Sequence, residues 1–385
     1  MLELQKFILK NLNNWDYLLS NSPYYLKIKK KNGLVIFNYN QVKSDFGLTI
    51  VKESRGIILE EKTWKVVRLS FLKFFNYGET NAEQIDWDSA IVSEKIDGSI
   101  IGVYYYNNQW RVATNSTIDA SDAPISNYTK YKTFREIFDE AWENNNLSFN
   151  DLNINYCYTM ELVSPANRVV VQYDNPELYL LSIRDMRTLE EVQIDDNLHI
   201  SKPKIFNIHS LSDCIMAANN LGLSQEGFVV KDKYNNRIKV KSPEYLAAHY
   251  LKHAMYPTPC RIMDIIRKNE ISEFLSYYPE YKCLVIFIQE QLNKIPKIIE
   301  HQYNLIVPYL KKYSKRKDFA QAIIKEANDN VVNNDTKLQI MYLWLYFKFY
   351  DQEDIYKYIK QITSKKLIKI FNLQFDKIKT LFKEE

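Results

Sequence analysis

Cysteine is scarce in this chain: four residues among 385, at Cys157, Cys214, Cys260 and Cys283, far apart and without a C-x-x-C pair. That spacing argues against a zinc site or a disulfide framework. Free thiols in a reducing cytoplasm are the simpler account, so a cytoplasmic location is expected. No apolar run approaches membrane-spanning length, and the start, Met1-Leu2-Glu3-Leu4-Gln5-Lys6, lacks the basic-then-apolar plan of a secretory signal. No membrane partner is therefore expected. Glycine is missing from a long stretch: all eight fall between Gly33 and Gly227, and none occurs in the 158 residues that follow. Glycine marks turns and hairpins, so the first part reads as strand-rich and the last part as helical.

What is present fits two globular domains. Charged residues make up 25% and hydrophobic ones 46%, which excludes a disordered chain, and the length allows two separate cores. Leu178-Tyr179-Leu180-Leu181-Ser182-Ile183 and Phe228-Val229-Val230-Lys231 read as buried strands. Beyond them, Ile262-Ile265-Ile266, Leu284-Phe287-Ile288, Ala320-Ile323-Ile324 and Leu343-Leu345-Phe349 recur near helical period, with prolines between. The division is expected after residue 245, giving domains 1–245 and 246–385. Charge divides there too. From Leu246 onward there are 23 Lys and Arg against 16 Asp and Glu; the first part has 28 against 31. The densest basic run is Lys311-Lys312-Tyr313-Ser314-Lys315-Arg316-Lys317, either a solvated helix end or the contact for a polyanion.

The most informative motif is Glu94-Lys95-Ile96-Asp97-Gly98-Ser99, which follows the apolar pair Ile91-Val92 and precedes Ile100-Ile101. It reads as strand, tight turn, strand. Such a turn presents one amine at a fixed point, and Gly98 would let a ligand approach the backbone closely. A lysine held this way suits attack on phosphorus. Five other segments accompany it. Ser54-Arg55-Gly56-Ile57 places an arginine at the edge of an apolar strand, where it either meets a ligand or pairs with Glu53 or Glu60. Lys73-Phe74-Phe75-Asn76 adds a lysine beside two aromatics. Glu161, within Thr159-Met160-Glu161-Leu162-Val163, is a carboxylate inside a strand and needs a partner if buried. Glu226 heads the strand Gly227-Phe228-Val229-Val230. Lys239 and Lys241 alternate with Ile238 and Val240, so both amines lie on one face of a strand.

These residues, K-x-D-G, then Glu161 in a strand, then Glu226-Gly227-Phe228-Val229-Val230, then K-x-K, resemble the covalent nucleotidyltransferase superfamily of ligases and mRNA capping enzymes. More narrowly the chain resembles the RNA ligase 1 family typified by the T-even phage enzyme. That resemblance runs over roughly residues 30–250 and includes Glu161-Leu162-Val163-Ser164-Pro165-Ala166-Asn167-Arg168, with Tyr245 and His249 just beyond the K-x-K strand. One departure stands out. Family members usually carry a lysine or arginine before a Gly-Ser after the K-x-D-G strand, whereas this chain has Thr114-Asn115-Ser116-Thr117, with Arg111 nearby.

The resemblance implies an α+β fold: an N-terminal nucleotidyltransferase domain of the ATP-grasp-like ligase type, with antiparallel sheets, then an all-α, RNA-binding C-terminal domain. It implies an ATP-dependent RNA ligase that uses ATP and Mg²⁺, with Mn²⁺ as an alternative ion. Lys95 would attack the α-phosphorus of ATP, AMP would pass to an RNA 5′-phosphate, and a 3′-hydroxyl would displace AMP. Lys239, Lys241 and the metal would stabilise phosphate charge, and Arg55 and Lys73 would hold phosphates. Glu161 and Glu226 would form the metal shell or bind ribose hydroxyls. Asp97 would assist the metal or orient the 3′-end. Phe75 would stack on a base or pack in the core. Lys311, Lys312, Lys315, Arg316 and Lys317 would contact RNA. By family analogy the substrate is broken tRNA or other single-stranded RNA ends. The chain carries no G-x-x-x-x-G-K-[ST] motif, so a separate kinase or phosphatase would heal the ends, and a monomer is the default. A DNA ligase or capping enzyme should instead carry a β-barrel after the K-x-K strand, which the glycine-free C-terminus does not suggest. A nucleic-acid-binding protein with a decayed nucleotide site, or an adenylyltransferase that does not seal, remain the alternatives.

Overall fold

The lysines of Lys27–Lys31 mark an edge. In the computed structural model this segment is β1, largely exposed and paired only with β2 (Leu34–Asn38), which is buried along most of its length. Charged edges discourage pairing with other chains. The structure describes residues 1–41, 43–125, 130–194, 198–251, 258–268, 270–295 and 364–370, with 318 and 321 standing alone. β3 (Arg55–Glu60) and β4 (Val66–Arg68) complete this first sheet, antiparallel in the order β1-β2-β3-β4. The helices α1 (Glu3–Lys10) and α2 (Trp15–Ser20) supply Leu4, Ile8, Trp15 and Leu19 to a core with Val35, Phe37, Ile57 and Leu59.

Next in the chain come β5 (Phe75–Asn76), β6 (Ile91–Glu94), β7 (Ser99–Tyr106), β8 (Gln109–Thr114), β9 (Tyr156–Val163), β10 (Glu177–Asp185), β11 (Glu191–Val192), β12 (Ile205–Phe206), β13 (Gly227–Lys231) and β14 (Arg237–Lys241). They form two five-stranded sheets, β11-β10-β9-β7-β8 and β12-β6-β13-β14-β5. Every pairing is antiparallel except that of β5 with β14. The first of these sheets is covered by the helix 134–144, capped by the Thr133 hydroxyl on the Glu136 amide. Its apolar stripe, Ile137, Phe138, Ala141 and Trp142, packs on Ile101, Met160 and Leu180. The other is covered by the helix 211–219, whose Cys214 and Ala218 meet Val92, Phe228 and Val230.

The chain divides into two compact units, Met1–His253 and Ala254–Glu385, so the division expected after residue 245 falls inside the first. Among the described residues of the second unit there are helices and no strand. Pro259–Lys268 buries Ile262, Met263 and Ile265, and residues 282–295 bury Leu284, Val285 and Ile288. The periodic residues Ala320, Ile323 and Ile324, the segment 343–349 and the basic run at 311–317 lie outside the described residues. The fold class is α+β. All four cysteines are free, and no helix among the described residues is long and apolar enough to cross a membrane.

Candidate active site

Lys95 lies where β6 leaves one sheet and β7 enters another. The expected strand, turn and strand are present, but they are a crossover between sheets, not a hairpin. Three contacts hold the crossover. The Lys95 amide donates to the Gly227 carbonyl at 2.8 Å, extending the β6–β13 ladder by one residue. Asp97, buried, accepts the Val170 and Val171 amides on Oδ2 at 2.9 and 2.8 Å and the Tyr245 hydroxyl on Oδ1 at 2.9 Å. A Cβ on Gly98 would lie 2.5 Å from the Leu162 carbonyl oxygen, so the loop presses directly on β9. Gly98 thus permits a close approach of β9, and it also lines the cavity described next, where the sequence suggested a ligand.

A cavity of about 390 Å³ opens at this crossover, lined by Lys95, Gly98, Glu161, Arg55, Phe71, Phe74, Asn115, Lys231, Arg237 and Lys239 among others. Beside it, Lys95 Nζ sits 2.6 Å from Glu226 Oε2, and Lys241 Nζ sits 3.2 Å from Oε1 of the same carboxylate. The two glutamates are shifted in opposite senses. Burial pushes the Glu161 carboxyl up to about 8, with Lys95 opposing and Glu226 adding to the rise. Burial also works against the Glu226 charge, but Lys95 and Lys241 outweigh it and hold that carboxyl below the ordinary range.

Arg55 pairs with neither Glu53 nor Glu60. Glu53 accepts the Glu3 and Leu4 amides, and Glu60 accepts the Tyr106 hydroxyl. The Arg55 guanidinium instead lies 4.8 Å from the Phe71 ring centroid and 6.0 Å from that of Phe74, with Nη1 buried and unpartnered. Lys239 Nζ lies 5.2 Å from the same Phe74 ring. Phe74 and Phe71, not Phe75, are therefore the cavity aromatics. Phe75 is instead buried edge-on to Phe46. Lys73 follows Phe75: its Nζ lies 5.0 Å from the Phe75 ring and 5.9 Å from both Tyr39 and Phe46, away from this cavity. Arg111 stands over Tyr106, also outside the lining, so it does not replace the missing basic residue at Asn115.

Sequence reasoning passed over Arg237, Lys231 and Arg68. Arg237 lies two residues before Lys239 on the same strand face, so period-two spacing could have found it. Arg68 sits in the apolar run Val66-Val67-Arg68-Leu69, the kind of signal that marked Glu161. Among the described residues, no group of three or more His, Cys, Asp or Glu forms a ready metal cage. Asp97 has both oxygens engaged. Glu161, a buried carboxyl whose charge is costly, and Glu226 are the oxygen donors that suit a hard cation retaining waters.

A family model described as RNA ligase matches residues 53–245, half of the chain and every cavity residue named above. The chain belongs to the RNA ligase family. This family member is 30% identical over 279 residues to a candidate bifunctional polynucleotide kinase/RNA ligase of Autographa californica nuclear polyhedrosis virus, covering 67% of this chain and 40% of the viral one. It is 25% identical to the RNA ligase of Rhodothermus phage RM378, covering 72% of this chain and 77% of the phage one. The chain thus spans less than half of the viral relative. Among solved structures, an archaeal ATP-dependent RNA ligase is 12% identical with a TM-score of 0.43, covering 78% of this chain and 83% of that one.

Proposed function

We propose that this RNA ligase family member is an ATP-dependent enzyme that joins a 5′-phosphate RNA end to a 3′-hydroxyl end. The observation that carries the reading is Lys95, fixed at a sheet crossover and lining a cavity with Arg55, Glu161 and Lys239. In the first step the Lys95 nitrogen bonds to the α-phosphorus of ATP as the bond to the β-phosphate oxygen breaks and pyrophosphate leaves. The proton that Lys95 gives up has Glu226 Oε2, at 2.6 Å, as its nearest acceptor. In the second step a 5′-phosphate oxygen of RNA takes the AMP and frees Lys95. In the third, the 3′-hydroxyl oxygen attacks that 5′-phosphorus and AMP leaves. Arg55, Lys239 and Lys241 meet the phosphate charge in each step. Glu161 and Glu226 would hold Mg²⁺ or Mn²⁺, which supplies further charge stabilisation on the phosphate oxygens.

The name of the viral relative joins a polynucleotide kinase to an RNA ligase, which supports a pathway in which healed ends, such as those of cut tRNA, are the substrate. The decisive experiment incubates the protein with α-labelled ATP and Mg²⁺, then resolves it on a denaturing gel and offers it RNA with a 5′-phosphate. Label on the wild type, absent from Lys95→Ala and Lys95→Arg, together with joined RNA, is the expected result. Protein free of bound AMP that takes no label would overturn the proposal.

A further inference from the structure

Arg68 ends β4 fully buried, in a stretch that is otherwise apolar. Its guanidinium passes between two glycines. A Cβ on Gly102 would fall 2.0 Å from Nε, and one on Gly56 2.7 Å from Nη1, so no larger residue fits at either place. The donors meet only uncharged acceptors. Nη1 reaches the carbonyls of Gly56 and Thr114, Nη2 reaches Asn115 Oδ1 at 3.2 Å, and Nε is buried with no partner. The charged neighbour is another cation, Arg55, which also keeps a buried, unpartnered nitrogen. Two close cations, one wholly buried and bound only to neutral groups, make an expensive arrangement unless an anion balances them.

The orientation of Asn115 shows where the balance comes from. Arginine offers donors only, so the amide oxygen must face Arg68. That leaves Nδ2, a pair of N–H donors with no partner among the described residues, on a side chain that lines the cavity. We infer that Arg68, acting through Asn115, completes a polyphosphate subsite of the cavity, with the nucleotide's phosphates as the counter-charge that Arg68 lacks. Asn115 is the contacting residue and Arg68 the positioning one. The charge absent at position 115 is set one residue deeper, where the two glycines make room for it. The inference rests on the ATP reading above and deepens it.

The test is equilibrium binding of ATP and of adenosine to the wild type, Asn115→Leu, Arg68→Met and the double variant Arg68→Met/Asn115→Lys. Asn115→Leu keeps the branched four-atom shape of the side chain, removes its N–H donors and adds no charge. It should weaken ATP about tenfold or more while adenosine changes less than about twofold. Arg68→Met should act the same way, and the double variant should recover ATP binding to within about threefold, because the cation then stands at 115 itself. ATP affinity that is unchanged in Asn115→Leu, or a loss shared equally by adenosine, overturns the inference even if Arg68→Met does not fold. A wild type that binds ATP while Asn115→Leu binds it equally well sinks the subsite alone. A wild type that binds no ATP sinks the ATP reading and the subsite together.

Discussion

Two oxygens of Asp97 take three hydrogen bonds, two from consecutive amides and one from Tyr245. A carboxylate bonded this way ties the 170–171 segment and Tyr245 to the crossover, and so holds Lys95 in place. Tyr245→Phe removes one bond to an ionised group and should cost about 2 kcal/mol in unfolding free energy by denaturant titration. Asp97→Ala leaves two buried amides and a hydroxyl unpaired. It should cost more and abolish labelling of Lys95; a folded Asp97→Ala that labels at the wild-type rate would contradict this. The motif made Lys95 and Asp97 legible in the sequence, but not what Asp97 does, because Val170, Val171 and Tyr245 are remote in the chain. The choice between Phe74 and Phe75 was hidden for a different reason. Both are aromatic, and only the sheet decides which one faces the cavity.

Between the two five-stranded sheets the notable tie is Glu191 of β11. It meets Arg184 of its own sheet at 2.9 Å, and from the other sheet Lys231 at 3.0 Å and Arg237 at 2.5 Å. Burial raises its carboxyl, but Arg237, Lys231 and Arg184 together outweigh that and bring it down to about 2. Between about 2 and the ordinary 4.5 the unfolded chain binds the proton and the folded one does not. The tie therefore stabilises fully above 4.5 and is lost as pH falls through 2. Glu191→Gln should cost about 3–5 kcal/mol at neutral pH. That gap should narrow as pH drops from 4.5 toward 2, and a gap that stays constant in acid melts would count against it. At the β6–β7 crossover, Gly98→Ala should push the loop off β9. Displacing Lys95 by about 1 Å should slow its labelling about a hundredfold, with the circular dichroism of the sheets retained. A Gly98→Ala protein that labels normally would show that the contact with β9 is slack.

Over the whole chain, charge is unequally shared: an excess of seven positive charges from Leu246 onward against an excess of three negative before it. A basic C-terminal part suits a polyanion such as the RNA proposed above as substrate. Replacing Lys311, Lys312, Lys315, Arg316 and Lys317 with alanine should lower RNA affinity and flatten its dependence on salt, since fewer counterions are released on binding. An unchanged salt slope would place the RNA contact elsewhere.

Much of this protein follows from the sequence alone. Glycine placement and apolar period separate a strand-rich part from a helical one, and K-x-D-G with its companion strands marks the family and the lysine proposed as nucleophile. Those features are local, written in spacing along the chain. The tertiary structure decided which side chains share a space: Phe71 and Phe74 in place of Phe75, Lys73 turned toward other rings, Gly98 pressed on β9, and Arg68 set behind Asn115. The physical reason is that charge and packing act through distance. The distances between Arg68, Gly56, Gly102 and Asn115 exist only once the sheets have brought their strands together.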